Sequence, residues 1–215
     1  YIFLMRQHVN PLSNHYDQIV PIPQLEEIYK DPNLPLHLDL GSASGDFLLN
    51  LAVQNQNWNY MGIEIREKLV INAKLKAKYN KLENLFFAHG NANNLIKDVL
   101  NKLNKINFHS ISVFFPDPWF KKKHHKRRII QDEFINNLNL LMPKGSTIFV
   151  KSDVFELFQN IDLTILNSSN FIEIDNYIDL KKSFNPSGLK TEREDYVNNN
   201  KLPIFERVYL KKQIF

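Results

Sequence analysis

Between Leu36 and Leu166 the chain alternates short apolar runs with longer two-faced ones, and few folds tolerate that rhythm. Leu36–Leu40, Trp58–Glu64, Leu85–His89, Ile111–Phe115 and Thr147–Lys151 read as strands. Asp46–Gln54, Arg66–Tyr79, Asn93–Leu103, Ile129–Leu141 and Val154–Leu166 read as helices. In Arg66–Tyr79, for example, Leu69, Val70, Ala73 and Ala77 share a face with Lys68 and Lys78 opposite, the pattern of a helix laid on a sheet. Strand and helix in turn imply an α/β fold, a Rossmann-like parallel sheet with helices on both faces. Past Leu166 the rhythm stops. Two strand-like runs, Phe171–Leu180 and Phe205–Leu210, flank a polar stretch, 181–203, predicted to be a long loop in a hairpin-like ending, so the sheet is mostly parallel. Residues 1–35, with Pro11, Pro21, Pro23, Pro32 and Pro35, read as an N-terminal arm carrying a short helix near Gln24–Tyr29. Residues 36–215 form the expected single domain, a size that suits one core.

Composition limits the chemistry. The chain has no cysteine, which removes disulfides, thiolate nucleophiles and Cys-based zinc sites. His124 and His125 lack the spacing and carboxylate partners of a metal site, so no metal is expected. No apolar run approaches a membrane span and no signal-type block is present, which predicts a soluble, cytoplasmic protein with no membrane association. Nothing in the pattern calls for an obligate protein partner. The net charge of +4 is concentrated: residues 121–128, Lys-Lys-Lys-His-His-Lys-Arg-Arg, hold six of 27 basic side chains, leaving 21 against 23 acidic ones elsewhere. A positive excess confined to one octapeptide reads either as a solvated surface run or as a local site for a polyphosphate.

Strand Leu36–Leu40 runs into the small-residue turn Gly41-Ser42-Ala43-Ser44-Gly45 and then a helix, a geometry that lets a ligand approach the backbone at the carboxyl end of a parallel strand. The dinucleotide fingerprint wants glycines at the first, third and sixth places; here they fall at the first and fifth, which disfavours a nicotinamide cofactor. Asp39-x-Gly41-x-x-x-Gly45 instead resembles the first motif of the class I S-adenosylmethionine-dependent methyltransferases, whose turn lines the methionine half of the cofactor. Glu64, about 20 residues beyond, ends the next strand where a carboxylate accepts both ribose hydroxyls. Asn91 and Ala92 follow the third strand at the level of an adenine ring, whose amino group an Asn side chain can bond. Read without the resemblance, Asp39 to Gly45 is a tight turn and Glu64 a helix cap.

Phe114-Phe115-Pro116-Asp117-Pro118-Trp119, followed by the basic octapeptide, is the most specific stretch of the chain. It resembles the bacterial tRNA (guanine-N7)-methyltransferase family, which makes 7-methylguanine at position 46 of the tRNA variable loop. The likeness also takes in Arg6-Gln7-His8-Val9-Asn10-Pro11-Leu12, the Asp39 turn, Glu64, Asp153 and Thr191-Glu192-Arg193-Glu194. The resemblance implies S-adenosylmethionine as cofactor and tRNA as partner. It assigns Asp39, Gly41, Gly45, Glu64, Asn91, Ala92 and Asp117 to the cofactor, and Lys121, Asp153, Thr191, Glu192, Arg193 and Glu194 to the target guanine. Two departures stand out: Ala43 replaces the middle glycine of the commoner turn, and Arg193 sits where many relatives have an aromatic residue.

The chemistry of the residues agrees with that assignment. Guanine N7 carries an in-plane lone pair and no hydrogen, so it attacks a sulfonium methyl without a general base. Asp117, pinned between two prolines, has the rigidity and sign to stabilise the charge that moves onto the purine. Asp153 or Glu194 can accept guanine N1–H and the N2 amino hydrogens together, which adenine cannot offer; the bland reading of both is a cap or a surface ion pair. Trp119 and Phe120 are candidates to stack on an unstacked base, with buried core packing the expected role of at least one. Two other functions remain open: an exocyclic-amine methyltransferase, because Asp117-Pro118-Trp119 resembles the Asp/Asn-Pro-Pro-aromatic loop of enzymes that act on adenine and cytosine, and a non-catalytic RNA-binding module.

Overall fold

The computed structural model describes residues 9–16, 21–102 and 108–212. Within them seven strands, β1 (Leu36–Leu40), β2 (Asn59–Glu64), β3 (Leu85–His89), β4 (Phe108–Phe114), β5 (Thr147–Ser152), β6 (Phe171–Glu173) and β7 (Phe205–Lys211), form one sheet. Their order is β3-β2-β1-β4-β5-β7-β6. The first five are parallel, and β7 runs antiparallel between β5 and β6. Eight α-helices accompany them: α1 (Leu25–Ile28), α2 (Asp46–Gln54), α3 (Glu67–Tyr79), α4 (Ala92–Lys102), α5 (Asp132–Leu141), α6 (Phe155–Asn167), α7 (Ile178–Phe184) and α8 (Glu192–Asn199).

Every residue of β1, β2 and β5 is buried, because helices cover both faces of the sheet and leave no solvent side for an alternating pattern. One apolar layer gathers Leu95, Ile96 and Val99 of α4, Phe134 and Leu138 of α5, and Ile161 and Ile165 of α6. Ile22, Leu25 and Tyr29, within the residues read as an arm, are buried in the same layer, and Tyr29 Oη donates to Tyr60 O. The other layer gathers Phe47, Leu48 and Leu51 of α2, Val70, Ala73 and Ala77 of α3, and Phe184. The strand order turns outward in both directions from β1 and β4, so the crevice beyond their carboxyl ends is where an open α/β sheet receives a ligand. Asp39, Glu64 and Asp117 all lie at that end.

The chain after Leu166 differs from the reading of its sequence. Of Phe171–Leu180 only Phe171–Glu173 is strand, and Ile178–Phe184 is helical. The helix is decided at its far end, where Phe184 is fully buried and stacks on His37 with ring centroids 3.9 Å apart. Stretch 181–203 is not a loop either, since it contains the end of α7 and all of α8. Thr191 Oγ1 accepts from Glu194 N at 3.1 Å and caps α8, a role that Thr-x-x-Glu spacing signals in a sequence. Smaller differences are at boundaries: β4 starts at Phe108 rather than Ile111, and α5 at Asp132 rather than Ile129. Leu103, the expected end of α4, lies outside the described residues.

Candidate active site

A cleft of about 350 Å³ opens at the carboxyl ends of β1, β2 and β4, large enough for a nucleoside-sized ligand. Its floor is the turn after β1. Gly41 N and Ser42 N donate to Ile63 O at 2.8 and 3.1 Å, tying the turn to β2. Gly41, Ala43 and Gly45 all have left-handed φ, at 84°, 49° and 76°. The two glycines serve different ends. A Cβ on Gly41 would meet nothing within 4 Å, which leaves open space above the backbone, whereas one on Gly45 would stand 2.7 Å from the Phe87 ring and 2.8 Å from Ala73. Gly45 therefore lets α2 seat against α3 and β3 and does not line the cleft.

Asp39 lines the cleft and is buried. Burial, helped by the negative charge of Glu64 and opposed by a hydrogen bond from Ser112, pushes its carboxyl up to about 6. Glu64, also buried, accepts from Ala43 N at 2.9 Å through Oε2 and from Arg66 N at 2.9 Å and Nε at 2.8 Å through Oε1. Arg66 Nη2 adds a bond to Oε2 at 3.2 Å. Arg66, which the sequence did not single out, thus folds back on the carboxylate, and it lines the cleft as well. Asn91 and Ala92 line the same cavity. Asn91 already has work there: Oδ1 accepts from Asn93 N at the start of α4, and Nδ2 donates to Pro11 O, both at 3.0 Å. Pro11 and Val9 close that side of the cleft. The remainder of the arm motif, Arg6, Gln7 and His8, lies outside the described residues.

Asp117 lines the cleft from a sharply bent loop. Phe115 and Trp119, on either side of Pro116-Asp117-Pro118, hold left-handed φ of 51° and 45°, unusual for bulky residues and a sign of a backbone conformation fixed by its surroundings. Among the bonds that hold it, Phe115 N donates to Lys151 O at 2.8 Å, and Arg128 Nε donates to Pro118 O at 2.9 Å. The basic octapeptide is consequently not one uniform surface. Lys121, Lys122, Lys123 and Lys126 are exposed, Arg127 reaches the cleft with its guanidinium 4.9 Å from the Trp119 ring centre, and Arg128 is buried as a staple. Phe120 is exposed beside the lysines.

The third wall is the amino end of α8, from which Thr191, Glu192, Arg193 and Tyr196 line the cleft. Arg193 lies 4.8 Å over the Tyr196 ring, and its Nη2 is 2.5 Å from Asp153 Oδ2. Of the residues expected at the guanine, Asp153 and Glu194 do not line the cavity: the first is held by Arg193, the second by Lys151 at 2.6 Å. Lys121 also lies off the cavity wall. Tyr196 carries no signal in a sequence that reads as loop over 181–203; on a helix, Arg193 and Tyr196 share a face by their three-residue spacing. Among the described residues no His, Asp and Glu side chains gather as a metal cluster, and no helix is long and apolar enough to cross a membrane.

Comparison with known proteins gives the family of the chain. A methyltransferase family described as "Putative methyltransferase" matches residues 33–207. A tRNA (guanine-N(7)-)-methyltransferase of Prochlorococcus marinus strain AS9601 is 56% identical over 208 residues, covering 96% of this chain and all of the relative. One of the same name from Synechococcus elongatus is 38% identical, covering 97% of this chain and 96% of the relative. Among solved structures, one titled "Structure of an Antibiotic Related Methyltransferase" superposes with a TM-score of 0.56 at 18% identity, covering 91% of this chain and 98% of that one, a likeness of fold. The chain belongs to the tRNA (guanine-N7)-methyltransferase family.

Proposed function

We propose that this protein transfers the methyl group of S-adenosylmethionine to N7 of guanine in tRNA, at position 46 of the variable loop. The observation that carries the reading is that one cleft joins the Asp39 turn and Glu64 to Asp117 on its rigid loop and to the amino end of α8, beside four exposed lysines. The cleft suits the cofactor chemically. Open space above Gly41 admits the methionine half, with Asp39 close by for its ammonium group. Glu64 offers acceptors to the ribose hydroxyls once Arg66 shares them, and Asn91 Oδ1 keeps a second lone pair for the adenine amino group. S-adenosylmethionine, when bound, supplies an electrophilic methyl on a cationic sulfur.

The protein's own part is alignment and charge. N7 needs no proton removed, so no side chain has to act as base. Asp117 is held by Pro116, Pro118 and the two left-handed residues beside them, and a fixed carboxylate there stabilises positive charge developing on the purine without reorganising. Lys121, Lys122, Lys123 and Lys126 engage tRNA phosphates next to the cleft. We place the protein in the cytoplasm, acting without an obligate protein partner, with residues 36–215 as its catalytic domain and 1–35 as an arm whose Ile22, Leu25 and Tyr29 pack into the core of that domain.

The test is nucleoside mass spectrometry of unmodified tRNA incubated with the protein and S-adenosylmethionine, with fragment mapping of the product. The expected product is 7-methylguanosine at position 46. Placing 7-deazaguanine there replaces the nucleophilic nitrogen by C–H and should abolish methylation. Methyl transfer to an exocyclic amine of that tRNA would instead assign the protein to the amino-methyltransferases.

A further inference from the structure

We infer that Lys151 is a positioning residue for methyl transfer, one that sets α8 against the Asp117 loop through Glu194. The inference rests on the proposed function, since it concerns alignment of the target base. Lys151 is the penultimate residue of β5, with its side chain only 3% exposed, an unusual place for an ammonium group. Its Nζ is 2.6 Å from Glu194 Oε1 and 3.8 Å from Glu206 Oε2, and Glu206 is held in turn by Lys181 of α7 at 2.9 Å. Four charges from β5, β7, α7 and α8 thus neutralise one another, Lys151 and Glu194 buried, Glu206 and Lys181 half-buried.

Lys151 touches both walls of the cleft. Its carbonyl accepts from Phe115 N, the residue whose left-handed φ starts the bend toward Asp117. Its ammonium lies 5.1 Å over the ring of Phe114, which lines the cleft. Across the gap, Glu194 and the fully buried Val197 form the inward face of α8, while Arg193 and Tyr196 face the cavity. Glu194 therefore presents the helix to Lys151 and not to the base. A buried ion pair gains little stability over an apolar pair of the same shape, but its directional hydrogen bond selects one register. Here that register fixes the height of Arg193 and Tyr196 relative to Asp117.

The test compares Lys151→Met, Lys151→Met/Glu194→Met and Glu194→Gln in the full-length protein, reading melting temperature, S-adenosylmethionine affinity by calorimetry, and kcat and KM for tRNA. The double variant replaces the pair by apolar side chains, so it should keep the parent's melting temperature and bind cofactor within twofold. Its kcat should fall about 100-fold, the scale of an ångström-sized misalignment, while KM for tRNA, set mainly by the lysines, moves less than threefold. Glu194→Gln keeps an acceptor for Nζ and should lose no more than fivefold in kcat. Lys151→Met, if it folds, should match the double variant. A stable double variant with kcat within twofold of the parent overturns the inference. A Glu194→Gln loss as large as that of the double variant also overturns it, because Glu194 would then act on the base directly. If the parent makes no 7-methylguanosine, the function itself fails, and the inference with it.

Discussion

Ser112 Oγ donates a 2.5 Å hydrogen bond to Asp39 Oδ1, so the only hydroxyl hydrogen is committed to the carboxylate. His37 Nε2, 3.0 Å from the same oxygen, must then be the donor to it, and Nδ1 accepts from Ser110 Oγ at 2.7 Å. Burial holds His37 neutral by pushing its pKa down to about 3. A chain of three side chains thus orients one oxygen of the carboxylate that begins the cleft.

Cofactor binding is expected to depend on pH through Asp39. Its carboxyl is raised from 3.8 to about 6, chiefly by burial, so the folded protein keeps a proton that the unfolded chain has lost. The stability this contributes is complete below the ordinary carboxylate value and is lost as pH rises through about 6. A cationic ligand prefers the ionised form, so affinity should rise over the same range and be about tenfold weaker at pH 5 than at pH 8. Calorimetric titration across pH should show this for the parent, a flat profile for Asp39→Asn, and a midpoint moved upward for Ser112→Ala. A flat parent profile would remove Asp39 from the site.

Glu64→Ala removes charge-assisted acceptors from the proposed ribose site and should weaken S-adenosylmethionine binding by roughly 1.5–3 kcal/mol. Unchanged affinity in that variant would show that Glu64 serves only to bind Arg66 and Ala43.

Replacing Lys121, Lys122, Lys123 and Lys126 by Ala should flatten the log–log salt dependence of tRNA binding by about 3, with cofactor affinity unaltered. Arg128→Ala belongs to a different class. Its guanidinium is buried on Pro118 O, His125 and Asn160, so its loss should lower the melting temperature and leave the salt slope as it was. The reverse pattern would mean that Arg128 binds phosphate.

Asp117→Asn keeps shape and loses charge. Turnover should fall on the order of 10²–10³ with fold and tRNA affinity retained, as for the removal of one charge-stabilising group with the sign inverted. A loss below tenfold in single-turnover measurements would move the stabilising charge elsewhere.

Gly45→Ala should destabilise by about 2–4 kcal/mol, combining left-handed strain with overlap on Phe87 and Ala73. Gly41→Ala meets no atom and should cost only about 1–2 kcal/mol of strain, but it should weaken the cofactor. Thermal melts of the two variants, with and without S-adenosylmethionine, check both.

Strands such as Leu36–Leu40 and Leu85–His89 and helix Asp46–Gln54 were legible to the residue, because burial on both faces writes itself into local composition. The meeting of Asp39, Glu64 and Asp117 at one cleft was legible too, since parallel topology carries strand ends to one edge wherever the intervening helices pack. What a side chain faces is another matter. Glu194 turns to Lys151, 43 residues away, and Asn91 to Pro11, 80 residues away, while Asp153 is claimed by Arg193 and Arg128 is drawn beneath its own loop. Each could equally have faced the ligand as far as local pattern goes. Only the folded chain decides, because a buried charge or amide must find its partner among groups that tertiary packing brings within about 3 Å.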